Sequence, residues 1–406
     1  MCSIISEEYR KYERIKNKET KENPEDCQTE DSVTLLNNAD NKEIVMSQSN
    51  THSPKKEKNE FGRIKNAENS SLIFYPRTVL RAFSQSEDEN VESKKNLSEL
   101  IKAMSKEVIG PFEINILKWI SKLRYVTSIM ILDLIKAGYI SFGRRSSITQ
   151  NKLAKIINRM AEYELISLTR FMKVNDDGSL SGDAHSAMRI LTLGRHGSVL
   201  LRELKNVCRF NVFDIFQDGN TVKRYLISNQ WLIYWLTTYK EEIGENYTAT
   251  CVINMRGTEY IGARIYATVT LNGHTMIAEP VRRMEEFEIK SYKKFLREKI
   301  QRICLIFDNM DKLYYGNTDR LYHKTEGINF PERPVIVLVC EDDEHIRQTW
   351  EDIRDILPDD NRQIIWFSSD LRIFNYDKKG ERFLYFEDDT MKIVDIKQVL
   401  GVDDES

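Results

Sequence analysis

The stretch SSITQNKLAKIINRMAEYELISLTRF, from Ser146 to Phe171, decides the fold of the first half of the chain. Ser147 or Thr149 can cap the start of a helix, because a side-chain hydroxyl accepts a hydrogen bond from a backbone N–H of the first turn. The next apolar residues are spaced as one buried helical stripe: Leu153, Ile156, Ile157 and Met160. The end of the stretch, from Leu165, alternates between apolar and polar residues as a strand does. An amphipathic helix followed by a strand is therefore predicted.

The other face of this helix is polar and basic. Asn and Gln side chains can pair with adenine, whereas Lys and Arg can bond guanine or hold a phosphate. Groups of these kinds lie along the helix and on the segment just before it. We expect the following residues to contact DNA: Arg144, Arg145, Thr149, Gln150, Asn151, Lys152, Lys155 and Arg159.

The neighbouring segments place this helix in a larger module. Helices are predicted at Gly110–Leu123 and at Val126–Gly138, where Thr127 is the expected N-cap. After the helix and its strand, Met188–Gly194 alternates again as a returning strand. Three helices followed by a two-stranded hairpin is the order of a winged helix-turn-helix. Residues 97–210 are therefore predicted to be a winged-helix DNA-binding domain, with a winged helix used only for protein contacts as the alternative.

Charge is distributed unevenly along the chain. The whole protein carries a formal charge of −3, but residues 101–210 hold 18 Lys and Arg against 9 Asp and Glu. Residues 211–406 hold 26 Lys and Arg against 35 Asp and Glu. A basic segment between acidic flanks is typical of a surface that meets a polyanion. Charge thus favours duplex DNA as the partner of the predicted winged helix.

Residues 1–96 differ in composition from the rest. They are rich in Lys, Glu, Asn, Ser and Asp, with only short apolar islands. Such a sequence cannot bury enough apolar surface to offset the entropy lost on ordering. We expect a disordered or weakly ordered N-terminal tail.

Several function classes are disfavoured by what the sequence lacks. No apolar run approaches the roughly 20 residues that cross a bilayer, and the six cysteines are scattered without a CxxC pair. P-loop, HExxH, GxSxG and dinucleotide motifs are missing, as is a histidine cluster of the relaxase type. We therefore expect a cytoplasmic protein with reduced thiols, with no membrane contact, no cofactor and no bound metal.

Residues 211–402 read as a second domain with a mixed sheet between helices. An aromatic helix at Val222–Glu242 is followed by strands, with Asn272-Gly273 as a type I′ hairpin turn. Later segments are predicted as follows: a helix at Glu285–Phe307, a buried strand at Arg333–Asp343, a helix at Glu344–Leu357, a buried strand at Arg362–Asp370 and a hairpin of Leu371–Tyr376 with Arg382–Asp388.

This order is similar to restriction-endonuclease-like domains. Those domains carry Glu-x-Lys on the second strand of a hairpin, because carboxylates hold a divalent metal and the lysine lies near the attacking water. Here Glu279 has the expected place, but Val281 stands where the lysine belongs. The nuclease-like site is therefore expected to be degenerate, formed by Glu279, Arg282 and Arg283. Glu279 is expected to pair with Arg282, Arg283 or Arg264.

The combination resembles the replication-relaxation family of Gram-positive plasmids and conjugative elements. The resemblance spans about residues 111–402 and rests on the winged-helix order, the YLISNQWLIYWL helix, and the segments VIVLVCEDDEHI and IIWFSSDLRIF. It implies an α+β multidomain fold, a winged helix on DNA and a degenerate nuclease-like domain. The chain departs from the family at Pro280-Val281, where many members keep an acidic residue.

The favoured function is a DNA-binding accessory protein of a plasmid or conjugative mobile element, acting in replication initiation, DNA relaxation or transfer. No catalytic residue is assigned, and an enzyme is disfavoured. The acidic domain or the N-terminal tail could bind another protein, and a homodimer is compatible with a two-fold DNA site. Two alternatives stay open: a divergent metal-dependent nuclease that uses Glu279, and a winged-helix transcriptional regulator.

Overall fold

A computed structural model describes much of the chain beyond residue 77. The described ranges are 78–82, 95–106, 108–141, 148–173, 189–206, 208, 219–255, 261–283, 289–310, 313–316, 332–357, 364–374, 382–387 and 389–396. They all belong to one compact unit that extends from Asn66 to Ser406. Arg144, Arg145 and most of the predicted N-terminal tail lie outside the described residues.

The first part of this unit contains five helices and four strands within the described ranges. The helices are α1 Leu97–Ser105, α2 Pro111–Leu123, α3 Ser128–Lys136, α4 Gln150–Glu162 and α5 Arg195–Glu203. The strands are β1 Thr78–Ala82, β2 Val126–Thr127, β3 Ile166–Lys173 and β4 Arg189–Leu193. Strand β1 lies inside the segment for which a weakly ordered tail is predicted.

These strands form one antiparallel sheet in the order β1-β3-β4-β2. Strands β3 and β4 are a hairpin, with Ile166 opposite Leu193. The short strand β2, which lies between α2 and α3, closes the other edge by pairing Val126 with Leu191. The predicted helices and the returning strand are thus present in the predicted order, and the caps also agree: Thr127 Oγ1 accepts from the backbone N–H of Met130 at 3.3 Å.

The turn from β4 into α5 depends on two glycines. A Cβ placed on Gly194 would lie 2.3 Å from the carbonyl oxygen of Glu164, and one placed on Gly197 would lie 2.1 Å from that of Leu165. Both distances are far inside van der Waals contact, so only glycine allows the turn to approach the end of α4 so closely. The backbone N–H of Gly194 donates to the carbonyl of Leu165 at 2.9 Å, which fixes the exit of β4.

The second part is built around a larger sheet. Its helices, within the described ranges, are α6 Gly219–Thr238, α7 Lys240–Ile243, α8 Ile289–Phe307, α9 Asp343–Ile353 and α10 Asp370–Phe374. Its strands are β5 Tyr247–Met255, β6 Ile261–Leu271, β7 His274–Pro280, β8 Leu313–Gly316, β9 Val335–Cys340, β10 Ile365–Ser369, β11 Arg382–Glu387 and β12 Thr390–Asp395. The prediction of an α+β chain with a mixed sheet flanked by helices is confirmed.

The large sheet has the strand order β12-β11-β10-β9-β7-β6-β5-β8. Strands β5, β6 and β7 are an antiparallel meander, and the turn between β6 and β7 uses Asn272 and Gly273 with positive φ, as predicted. Strand β9 then runs parallel to β7, and β10 runs parallel to β9. The carboxyl ends of these three neighbouring strands therefore meet at one edge of the sheet.

Helix α6 connects the two parts. It is buried along most of its length and contacts α3, β2, β6 and β7. The side-chain amide of Asn229 donates to the carbonyls of Leu123 and Tyr125, at 2.9 and 2.7 Å, and Trp235 stacks on Phe383. One apolar core extends without a break from Leu100 in α1 to Ile396 near the end of the described chain.

One element differs from its predicted form. The segment from Leu371, expected as the first strand of a terminal hairpin, belongs to helix α10, and β11 pairs instead with β12. The helix begins at Asp370, which is fully buried and bonded to Arg282. This ion pair joins the start of the helix to a residue 88 positions earlier, a long-range contact that local alternation does not indicate.

Candidate nucleic-acid interface and the buried charged site

Helix α4 presents its polar face to solvent. Thr149 caps the helix, with Oγ1 accepting from the backbone N–H of Lys152 at 3.3 Å. Four side chains of the first two turns are exposed: Gln150, Asn151, Lys152 and Lys155. The opposite stripe is buried as predicted, because Leu153, Ile156, Ile157 and Met160 pack into the core. The structure therefore places five of the predicted DNA-contacting residues, Thr149 included, on one surface.

Arg159, one turn further along, has a different environment. Its guanidinium bonds the carboxylate of Glu113 at 2.5 Å, and Glu113 is almost completely buried. The other oxygen of Glu113 accepts from the backbone N–H of Gly110 at the start of α2. Arg159 therefore ties α4 to α2 and is partly buried, unlike the four exposed side chains before it.

The predicted nuclease-like position Glu279 lies at the end of β7 and is 2% exposed. Its carboxylate accepts from the ammonium group of Lys299, on α8, at 2.6 Å. The expectation that Glu279 pairs with Arg282, Arg283 or Arg264 is wrong. Sequence patterns could not reveal Lys299 as the partner, since it lies in the middle of an amphipathic helix 20 residues away.

Burial weakens the charged forms of both members of this pair. Desolvation raises the pKa of Glu279 above its usual value, with Lys299 opposing the shift. Desolvation lowers the pKa of Lys299, and the nearby Arg224 and Arg264 lower it further. Tyr266 lies against the pair, with its ring centroid 4.6 Å from Lys299 Nζ. The pair is held in a low-dielectric setting where each charge depends on the other.

Arg282 lies just beyond β7 and has its own buried partner. Its guanidinium makes two bonds to the carboxylate of Asp370, at 2.7 and 2.9 Å, and one to the carbonyl of Val339 at 3.1 Å. Burial raises the pKa of Asp370 to about 7, and Arg282 opposes this shift. Because these groups follow β7, β9 and β10, the pair joins the carboxyl ends of the three parallel strands.

Arg283 makes further ion pairs at the same edge of the sheet, nearer the surface. It bonds the carboxylate of Glu341 at 3.2 Å and that of Asp342 at 2.6 and 2.7 Å. Asp342 also caps α9 by accepting from the backbone N–H of His345 at 2.7 Å. Burial, with Arg283 and Arg282 nearby, lowers the pKa of His345 to about 3. His345 is therefore neutral around pH 7.

The arrangement does not fit a divalent metal. Among the described residues no group of three His, Cys, Asp or Glu side chains is placed to hold one. Each carboxylate of this region that we have described is bonded to a cation: Glu279 to Lys299, Asp370 to Arg282, and Glu341 with Asp342 to Arg283. The edge where ligands of parallel sheets commonly bind is here filled by protein ion pairs.

Comparisons with known proteins leave these sites without a family assignment. No protein-family model matches the sequence, and no curated protein and no solved structure matches it either. In the part of the chain that the structure describes, no helix combines the length and apolar character that crossing a membrane requires.

Proposed function

We propose that the protein binds duplex DNA through α4, and that residues 97–210 act as a winged-helix module. The observation that carries the proposal is the exposed polar face of α4, with Gln150, Asn151, Lys152 and Lys155 beside a Thr149 cap. Such side chains are the ones that read base edges and hold phosphates in a major groove.

The surrounding elements support this use of α4. Helices α2 and α3 pack behind it, and the pairing of β2 with β4 fixes the β3–β4 hairpin at its side. Arg159 and Glu113 lock the C-terminal half of α4 against α2, which leaves the N-terminal half to enter the groove. Association would be driven by the excess of Lys and Arg in residues 101–210, since neutralising phosphates releases counterions.

The finer role is that of an accessory protein of a plasmid or conjugative element, in replication initiation, DNA relaxation or transfer. This part of the proposal rests on the sequence resemblance alone. In this role α4 would hold the protein on its site, and the acidic region 211–402 would be a platform for assembly.

A divergent nuclease is the second candidate, because Glu279 on β7 and Lys299 on α8 bring a carboxylate and a lysine together beside the mixed sheet. The full burial of Glu279 and its bond to Lys299 count against this role, since a metal ligand needs a free oxygen at an open position. We therefore favour binding without cleavage.

The test is fluorescence anisotropy of the full chain on labelled duplex DNA across a salt series. We expect log K to fall linearly with log salt, and Lys155→Ala to reduce the slope by about 1. Lys118→Ala is the matched control, because Lys118 is also an exposed helical lysine but belongs to α2. Equal loss in both variants, or no salt-dependent affinity at all, would refute binding through α4.

The same protein incubated with supercoiled plasmid and Mg²⁺ or Mn²⁺ separates the two candidates. We expect no nicking. Nicking that disappears in Glu279→Gln, with the fold retained by circular dichroism, would instead establish the nuclease.

A further inference from the structure

Helix α8 is basic within an acidic region. Ile289–Phe307 holds six Lys and Arg residues and one Glu, although residues 211–406 as a whole have an excess of nine acidic residues. One flank of the helix uses its cations internally: Lys293 bonds Asp352 at 2.5 Å, and Arg297 bonds Asp355 at 2.6 and 2.8 Å. The outer flank is different, because Arg302 is exposed there, whereas Lys294 lies on the flank of Lys293 and Arg297 and is 3.9 Å from Glu298.

An aromatic platform lies on this outer flank. Phe295 is 46% exposed, which is unusual for so large an apolar side chain on a charged helix. It stacks on Tyr292 with ring centroids 6.2 Å apart. The guanidinium carbon of Arg224, from α6, lies 5.5 Å from the Phe295 ring and 4.9 Å from the Tyr292 ring. One cation and two rings thus form a stack that opens to solvent.

The charges beneath the platform do not balance. Arg224, Arg264 and Lys299 lie near one another, with Glu279 as the carboxylate that acts on them. Among the described residues, the Nε atom of Arg224 is buried without a hydrogen-bond partner. Arg264, on β6, is exposed. An anion that approached Phe295 would therefore meet a surplus of positive charge.

We propose that Phe295, Tyr292 and Arg224, with Arg302, form a binding site for single-stranded DNA. A base would stack on the exposed face of Phe295, and the phosphates on either side would meet Arg224 and Arg302. Phe295 and Arg302 are seven residues apart, two helical turns, so they lie on the same side of α8. A stacking ring beside cations is the combination by which proteins hold single strands without reading sequence.

This site deepens the proposed function, because it would let a duplex-binding protein also hold an opened strand. It is separate from α4 in sequence and in chemistry. The two sites can therefore fail independently.

The test is binding of the full chain to a fluorescent 12-nucleotide oligothymidine, with Phe295→Ala as the variant. We expect Phe295→Ala to weaken oligothymidine binding about 5- to 150-fold, as loss of one stacked base does. Its affinity for duplex DNA should stay unchanged. Leu305→Ala is the matched control, since Leu305 is an apolar residue of the same helix with 45% exposure; it should leave both affinities unchanged.

A second variant tests the phosphate contacts. Arg302→Ala should reduce the salt slope of oligothymidine binding by about 0.7, as loss of one phosphate contact to a single strand does. Circular dichroism and thermal unfolding of every variant check the fold.

Three results would overturn the proposal: no binding of oligothymidine, equal weakening by Phe295→Ala and Leu305→Ala, or displacement of the oligomer by thymidine monophosphate at the same nucleotide concentration. The last would assign the site to a free nucleotide. Loss of duplex binding alone would refute the role of α4 and leave this site standing.

Discussion

The outer face of α4 and the edge where β7, β9 and β10 end both carry polar and charged side chains, but in opposite settings. On α4, Gln150, Asn151 and Lys155 are exposed to solvent. At the sheet, Glu279 and Arg282 are almost completely buried, and each is bonded to an opposite charge. A charge at the surface keeps its hydration and is free to meet a ligand, whereas a buried charge depends on its partner. Polar and charged side chains are thus exposed in one region and bonded to buried partners in the other.

This difference predicts opposite effects of substitution. Changes on the face of α4 should alter affinity and leave stability nearly unchanged. Changes at the sheet should alter stability first, with affinity following only through the folded fraction.

The largest effect is expected for the Glu279–Lys299 pair. Lys299→Met leaves a buried carboxylate without its partner and should lower the free energy of unfolding by about 3–5 kcal/mol. Glu279→Gln with Lys299→Met removes both charges and should cost clearly less than Lys299→Met alone. Urea unfolding followed by circular dichroism measures both. A double variant as unstable as the single one would show that the ion pair does not couple the two residues.

Most of the elements around this pair could be predicted from the sequence, but the pair itself could not. The continuous apolar run of β9 and the Asn272-Gly273 turn carry local signals, because burial on both faces and positive φ each select particular residues. The choice of Lys299 as the partner of Glu279 is a property of how α8 packs on the sheet. Hydrophobic periodicity predicts that Lys299 lies on α8, but it does not show which residues Lys299 contacts.

The next largest effect is expected for His345, because its burial makes the free energy of unfolding depend on pH. Its folded pKa is about 3, well below the unfolded value of about 6.5, so the stability that depends on neutral His345 is present above pH 6.5 and is lost as the pH falls. Between pH 7 and pH 5 this group should lower the free energy of unfolding by about 2 kcal/mol, at about 1.4 kcal/mol per pH unit below 6.5.

His345→Gln tests this by removing the titrating group while keeping an acceptor for the backbone N–H of Glu341, which His345 bonds at 3.3 Å. The difference between wild type and variant, measured by urea unfolding at both pH values, isolates His345 from the other groups. A difference that does not change with pH would mean that His345 has the same pKa in the folded and the unfolded state.

An effect of similar size is expected at Arg159, where an otherwise exposed helix face meets a buried carboxylate. Because it bonds the buried carboxylate of Glu113, Arg159→Ala should lower the free energy of unfolding by about 1.5–3 kcal/mol, the range for a hydrogen bond to a charged group. Lys155→Ala, one turn earlier on the exposed face, should change it by less than about 0.5 kcal/mol. Thermal unfolding of the two variants compares them directly.

If Arg159→Ala proves as stable as Lys155→Ala, the bond to Glu113 contributes little and Arg159 is free to reach DNA. The sequence placed Arg159 correctly on the polar side of α4. It could not show that a neighbouring helix supplies a buried carboxylate there, because Glu113 reads locally as a capping residue for α2.

The smallest change in stability is expected for Asn151→Ala, since Asn151 is exposed in the first turn of α4, away from the buried stripe. Its effect should appear only in specificity. If Asn151 pairs with an adenine, its loss should cost about 1–3 kcal/mol on the preferred site and almost nothing on unrelated duplexes, so the ratio between the two affinities falls.

A selection of bound sequences from a random duplex pool, with wild type and variant in parallel, measures that ratio. An equal loss of affinity for every sequence would show that Asn151 contacts phosphate. No loss of affinity for any sequence would show that the start of α4 does not contact the bases. In both regions the effect of a substitution therefore depends on how completely the surrounding atoms bury the polar group.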